Sequence, residues 1–377
     1  MGESVKKLLF IQVMWTPYNH ARFSSIASEC PGWDLHVFYQ TTGNSYRRWR
    51  AEEKEDRYGQ VFLKHVRIPL RPDQAFSLNI NYNVFSELEK CDPDRVIVTG
   101  WDSPATLAAL LYCKRRGKEI ILYSDSTVHE KSYRRRIFKP YVRILVRFFD
   151  GFLSGGTAAT EYLRDLGVRG NIEPFYNTVD VDHFMKRGLL SGPERKRERL
   201  RLGLDPASGV LIFSGRLVPI KKVDMLIDAF HVLQREKENL HLLIAGYGPE
   251  EARLKRLARG NARIRFLGHC DVNEIPRLYG ISDVLVLPSI EEPWGLVVNE
   301  AMACGCAVAV SDRCGSSRDL VSGNGLVFEG GNPDALGGAL RFVLESGKRL
   351  RDMRRKSVEI IRRFRPQDLV GAVSYFR

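Results

Sequence analysis

Short apolar runs recur along the chain, each followed by a polar turn and then by apolar residues at helical spacing. LLFIQVM (8–14), DLHVFYQ (34–40), RVIVTG (95–100), EIILYS (119–124) and GFLSGG (151–156) read as buried strands, with helical periods such as Pro104 to Lys114 between them. Parallel strands joined by crossover helices produce this order. A second series follows: GVLIFSG (209–215), HLLIAG (241–246), IRFLG (264–268), DVLVLPS (283–289), AVAVSD (307–312) and GLVF (325–328). Helices fit at Val223–Gln234, Glu250–Arg259, Asn273–Gly280 and Leu296–Cys304. The pattern predicts an α/β chain of two doubly wound parallel sheets in tandem, over 1–185 and 186–355. They join near 178–205, where GPERKRERLRL reads as a charged helix rather than a core. Open parallel sheets bind ligands at the carboxyl ends of their strands, which places a ligand in the cleft between two such domains.

At 377 residues the chain is long enough for two cores, and with 44% hydrophobic and 27% charged residues it should fold throughout. No run reaches the roughly 18 apolar residues of a membrane span, and Met1 to Val13 lacks a small-residue cleavage site. The seven cysteines are odd in number and lie in apolar contexts, so reduced thiols and a cytoplasmic location are expected. Cys304, Cys306 and Cys314 lack the paired spacing of a zinc site and read as packing residues.

The net charge of +13 is unevenly placed: KSYRRRIFKPYVRILVRFF (131–149) carries seven basic residues, no acid and many apolar ones. Two readings stand side by side. One is a peripheral anionic membrane surface; the other is a solvated helix with its apolar stripe on the core and Pro140 in its first turns. No nucleic-acid module is visible, so nucleic acid is not an expected partner.

Two segments carry candidate chemistry. In PSIEEPWGLVVNEAMACGCAV (288–308) a strand ends, Pro293-Trp294-Gly295 turns, and a helix begins near Leu296. Glu292 in the loop and Glu300 two turns along can hold opposite ends of an elongated ligand. The N–H groups of Gly295, Leu296 and Val297 form an anion site of the kind found at helix N-termini. Sugar-binding carboxylates beside phosphate-binding amides describe a nucleotide-sugar pocket. In FSGRLVPIKKVDMLIDAF (213–230) Gly215 lets the chain turn, and Arg216 and Lys221 project cations able to neutralise a departing diphosphate.

Gly215-Arg216-Leu217 through Lys221, IAGYGP (244–249) with Gly246, FLG (266–268), and Glu292-x7-Glu300 followed by AMACG resemble the donor-binding half of the retaining glycosyltransferases of family 4. FYNTVDVDHF (175–184) is similar to that family's interdomain segment. The match is close from about Val210 to Gly331 and holds only in outline before it. The resemblance implies a GT-B fold, two Rossmann-like domains facing across a cleft, with residues 356–377 crossing back to the first. It implies that Arg216 and Lys221 contact the donor diphosphate, Glu300 the ribose and Glu292 the transferred sugar, without an essential metal or other cofactor.

The chain departs from the family in two places. Lys222 stands where glycine usually follows the phosphate-binding lysine. VMWTPYNHARF (13–23) has no glycine where a glycine-rich loop is usual, so Trp15, Tyr18, Asn19 and His20 are assigned to the acceptor side. In YSDSTVHE (123–130) Asp125 stands at the expected strand end and is favoured over His129 as a polar contact or base. Asp92-Pro-Asp94 and Asp180-Val-Asp182 read as structural. The expected function is transfer of a sugar from a nucleoside diphosphate to a glycan or lipid-linked saccharide in cell-surface polysaccharide or glycoconjugate synthesis. The alternatives are a nucleotide-sugar epimerase, a phosphorylase, or a non-catalytic sugar-binding scaffold.

Overall fold

The computed structural model describes residues 5–41, 57–69, 77–130 and 133–374, in two compact units. The first runs to Asn177 and regains the chain at Pro366. Its strands are β1 (Lys6–Met14), β2 (Trp33–Thr41), β3 (Gly59–Phe62), β4 (His65–Pro69), β5 (Ser77–Asn81), β6 (Arg95–Thr99), β7 (Glu119–Ser124), β8 (Gly151–Ser154) and β9 (Ile172–Pro174). Seven pair in the order β3-β2-β1-β6-β7-β8-β9, all in parallel, while β4 and β5 form an antiparallel pair.

Alternation divides the strand side chains between two cores. Leu9, Ile11, Val96, Val98, Ile120 and Leu122 enter one; Leu8, Phe10, Ile97, Ile121 and Leu153 enter the other. The glycine-free stretch after β1 has a local explanation. Thr16 Oγ1 accepts from the Asn19 N–H at 3.0 Å, and Pro17 opens the helix Pro17–Glu29, where a missing N–H costs nothing. The helix therefore starts within three residues of the strand, and no glycine turn is needed.

The second unit spans Thr178–Arg365. Its strands are β10 (Gly209–Ser214), β11 (Leu240–Ala245), β12 (Ile264–Gly268), β13 (Val284–Leu287), β14 (Ala307–Ser311) and β15 (Gly325–Phe328), in the parallel order β12-β11-β10-β13-β14-β15. The division of the chain differs from the one expected, since 178–185 and 356–365 fall in the second unit. The helix Val181–Gly188 packs on helices Ile275–Ile281 and Leu296–Ala303, so tightly that a side chain at Gly188 would overlap Cys304. The helix Gly347–Ile361 continues past 355 and buries Ile361 completely. After Pro366 the chain returns to the first unit, where Arg95 Nη1 donates to the Val373 carbonyl at 2.9 Å.

GPERKRERLRL corrects a second expectation. It is a helix, Gly192–Arg201, but Arg199 enters the core and Arg195 lies half-buried beside it. Arg199 is 3% exposed, and Arg195 and Arg199 reach Asp283 at 2.7 and 2.8 Å. In the basic segment Pro140 lies inside the helix Tyr133–Leu145, and the apolar stripe Val142, Leu145, Val146 and Phe149 is buried, as the solvated-helix reading has it. Both Asp-x-Asp motifs do structural work. Asp94 accepts from the Lys7 N–H, and Asp180 caps the helix Val181–Gly188 by accepting from the His183 N–H.

His241 on β11 gives the second unit a pH dependence. Burial, then Arg263, Arg265 and Arg199, push its pKa down to about 4. Unfolded, it titrates near its ordinary 6.5, so below that pH the unfolded chain binds a proton that the folded one refuses. Stability is expected to fall as pH drops from about 6.5 to about 4, and His241→Asn should flatten that slope in melting curves across the window. An unchanged slope in the variant would assign the dependence elsewhere.

Candidate functional site

In the second unit the strand order reverses between β10 and β13, so the loops that leave their carboxyl ends lie side by side, the usual place for a ligand in such a sheet. Both candidate segments are these loops. The Ile290 N–H donates to the Ile220 carbonyl at 2.9 Å and ties them together. Lys221, closing the single turn Pro219–Lys221, pairs through Nζ with Glu292 Oε2; both side chains are largely buried. The expected phosphate cation and the expected sugar-facing carboxylate are thus brought together. Arg216 is exposed at the rim and makes no ion pair among the described residues.

Glycine is required where the loops crowd. A Cβ at Gly246 (φ +145°) would overlap the Gly215 carbonyl, and one at Gly248 the Leu217 carbonyl, which accepts the Glu250 N–H. Lys222 adopts φ +51°, a left-handed conformation that costs a non-glycine residue about 1–2 kcal/mol.

Gly295, at φ +88°, caps the helix Leu296–Ala303. The N–H groups of Gly295, Leu296 and Val297 have no backbone acceptor among the described residues. Glu300, one turn further on, is 3% exposed, and its Oε2 accepts from Tyr279 OH at 2.8 Å. Glu292 thus stands in the loop before the helix and Glu300 within it.

Several supporting residues were missed in the sequence. The loop after β14 clamps the Glu292 loop: Gly315 N–H donates to the Glu292 carbonyl, Glu292 N–H to the Arg313 carbonyl, and Cys314 Sγ and Ser316 N–H to the Trp294 carbonyl. A side chain at Gly315 would overlap the Pro293 carbonyl. Trp294, 4% exposed, donates through Nε1 to Asn299 Oδ1 at 2.9 Å. Burial pushes the Cys306 and Cys314 thiols up to about 12. As neutral thiols they donate to carbonyls, and a small, buried, weakly polar side chain serves that purpose.

In the first unit Asp125 is exposed just past β7, and His129 lies half-buried four residues on. Trp15 and His20 face each other with centroids 5.9 Å apart, and His20 Nδ1 is 3.0 Å from Tyr58 OH. Asn19 contributes its N–H to the Thr16 cap and its Oδ1 to Arg22, and Tyr18 is half-buried beside it.

Two family models match: "Glycosyltransferase Family 4" over residues 31–183 and "Glycosyl transferases group 1" over 194–359. D-inositol 3-phosphate glycosyltransferase 2 of Catenulispora acidiphila is 31% identical over 220 residues, 55% of this chain and 50% of that protein. The chain thus spans about half the length of that relative. A GDP-mannose-dependent alpha-(1-6)-phosphatidylinositol monomannoside mannosyltransferase of Mycolicibacterium smegmatis is 28% identical over 324 residues, 80% of each chain. Among solved structures, Anabaena HepE in complex with UDP superposes with a TM-score of 0.73 at 17% identity, covering 98% of this chain and 97% of that one. That likeness gives the fold, GT-B.

Proposed function

Since the chain belongs to glycosyltransferase family 4, with a group 1 glycosyl transferase region, we propose that it transfers a sugar, with retention, from a nucleoside diphosphate to a hydroxyl of a glycan or lipid-linked acceptor in glycoconjugate synthesis. The observation that carries this reading is the Lys221–Glu292 pair at the switch of the second sheet, with Glu292 beside Gly295 at the start of a helix whose first amides lack backbone acceptors among the described residues and which carries the buried Glu300. A diphosphate entering there draws Lys221 from Glu292 and gains Arg216 and the amides of 295–297. Glu292 is released to accept sugar hydroxyls, and Glu300, oriented by Tyr279, accepts from the ribose. Positive charge held ready for the leaving diphosphate lowers the barrier without an essential metal. The relative from Mycolicibacterium smegmatis is named as GDP-mannose-dependent and HepE was solved with UDP, which supports a nucleotide-linked donor. Asp125 is assigned to the acceptor hydroxyl.

Proton NMR of candidate nucleotide sugars incubated with the protein tests this. Release of nucleoside diphosphate and a free or transferred sugar of unchanged anomeric configuration supports it. An altered sugar still joined to its nucleotide marks an epimerase, consumption only with added phosphate a phosphorylase, and no turnover of any donor a sugar-binding scaffold.

We also propose an anionic membrane partner for the 131–149 segment. Val142, Leu145, Val146 and Phe149 are buried, while Ile137, Phe138, Tyr141, Ile144 and Phe148 form a second, exposed stripe interleaved with Lys139, Arg143 and Arg147. The side chains of Arg134, Arg135 and Arg136, also assigned to this surface, lie outside the described residues. No helix among the described residues is long and apolar enough to cross a membrane, so the contact is peripheral. Apolar side chains entering lipid gain about 1.5–3 kcal/mol each, so Ile137→Ser with Phe138→Ser and Ile144→Ser should weaken binding to phosphatidylglycerol vesicles more than about tenfold. Nucleotide affinity should stay constant; equal vesicle binding by the variant would remove the membrane assignment.

A further inference from the structure

The face of the first sheet covered by the helix Pro17–Glu29 holds a buried cation that no described residue neutralises. Arg22 is 3% exposed. Its guanidinium carbon lies 4.6 Å from the Phe175 ring centroid and 5.4 Å from that of Tyr123, and Nη2 donates to Asn19 Oδ1 at 3.3 Å. Nε and Nη1 are buried without a hydrogen-bond partner among the described residues, and no carboxylate there pairs with the group. The attraction of aromatic rings for a guanidinium is weaker than the penalty for burying a charge without a counter-charge. Water would satisfy the N–H groups but not the charge.

A second orphan shares this face. Gln12 alternates on β1 with Leu8 and Phe10, and its Oε1 is buried without a partner among the described residues. β1 and β6 are neighbours where the order of the first sheet reverses, and the polar rim continues through the ends of β7, β8 and β9. Tyr123 OH donates to Asn177 Oδ1 at 2.8 Å. A Cβ at Gly155 would lie 3.0 Å from Asp125 Cβ and 3.2 Å from Asn177 Nδ2. Arg22, an orphaned acceptor and an exposed carboxylate therefore lie toward the carboxyl ends of the strands of this sheet, with groups that recognise an oxyanion and hydroxyls on one molecule.

We propose that Arg22 binds the phosphate or carboxylate of an acidic sugar or polyol, with Gln12 Oε1 accepting from one of its hydroxyls. That this ligand is the acceptor rests on the transferase reading; the site itself does not. Guanidinium–oxyanion bonds are charge-assisted and among the stronger hydrogen bonds in proteins.

The test is calorimetry and thermal shift on the full chain with glucose 6-phosphate, glucuronate, glucose and inorganic phosphate, alongside UDP and GDP. At least one acidic sugar should bind and stabilise the protein while glucose does not, and the phosphate and carboxylate arms identify the oxyanion. Arg22→Gln should weaken that binding about tenfold or more and leave the nucleotide response as it is. If Arg22→Gln does not fold, Gln12→Leu should weaken the acidic sugar but not inorganic phosphate. The proposal is overturned if no acidic sugar binds, if glucose binds equally well, or if both variants keep wild-type affinity. Acidic-sugar binding without any nucleotide response would sink the transferase reading and leave the anion site standing; the reverse would remove the anion site alone.

Discussion

Asp283→Ala is expected to destabilise the second unit by about 3–5 kcal/mol, because removing one partner of a buried ion network leaves uncompensated charge. Asp283 stands at the amino end of β13 with its side chain 8% exposed. Oδ1 accepts from Arg195 at 2.7 Å and from Arg354 at 3.4 Å; Oδ2 accepts from Arg199 at 2.8 Å and from the Val210 N–H at 2.9 Å. Burial opposes its ionisation, and the three arginines overcome that opposition and hold the carboxyl below its ordinary range. Without it, Arg199 and the largely buried Arg354 lose their counter-charge. Urea unfolding measures the effect, and a loss under about 1 kcal/mol would mean that the arginine–carbonyl bonds suffice. The network lies at the opposite end of the sheet from the candidate site, so variant that remains folded should keep its nucleotide affinity.

Lys221→Ala and Glu292→Gln should act on donor binding with opposite signs. Losing a cation preorganised for the leaving diphosphate lowers turnover by about 10²–10³-fold, and nucleotide affinity falls with it. Glu292→Gln removes the group that now competes with phosphate for Lys221, so nucleoside diphosphate should bind more tightly while transfer, deprived of a sugar contact, slows. Titrations of both variants with nucleoside diphosphate, followed by turnover with the intact donor, separate the effects. Equal weakening of nucleotide by both would show that Glu292 supports the phosphate site rather than restraining its lysine.

The long apolar strands were legible because buried parallel strands are nearly continuous apolar runs, as in FIQVM and VLIFS. β3, β4, β5 and β9 were not. They are three to five residues long and half polar, so their pairing comes from their neighbours rather than from their own sequence. The loops of the candidate site were legible as motifs, since Gly215, Gly246 and Gly295 mark backbone that only glycine adopts cheaply. The Asp283 network was not. Arg195 and Arg199 belong to a run of charge, and their burial depends on an aspartate more than eighty positions away. The loop after β14 gave no signal beyond its small residues, although Cys314, Gly315 and Ser316 hold the Glu292 loop in place. Arg22 and Gln12 were equally silent, because an unpaired buried atom is a property of packing.

The most direct test of the donor site is a thermal-shift titration of wild type and Glu300→Ala with UDP, GDP, dTDP and ADP, because a ligand that binds only the folded state raises stability by RT ln(1 + [L]/Kd). Glu300 is chosen because it holds the ribose in this account and lies apart from the Lys221–Glu292 pair. One nucleoside diphosphate should stabilise wild type, by about 2.7 kcal/mol at a hundred times its Kd, with most of the shift lost in Glu300→Ala. A wild type indifferent to all four, or a variant that responds as wild type does, would contradict the account.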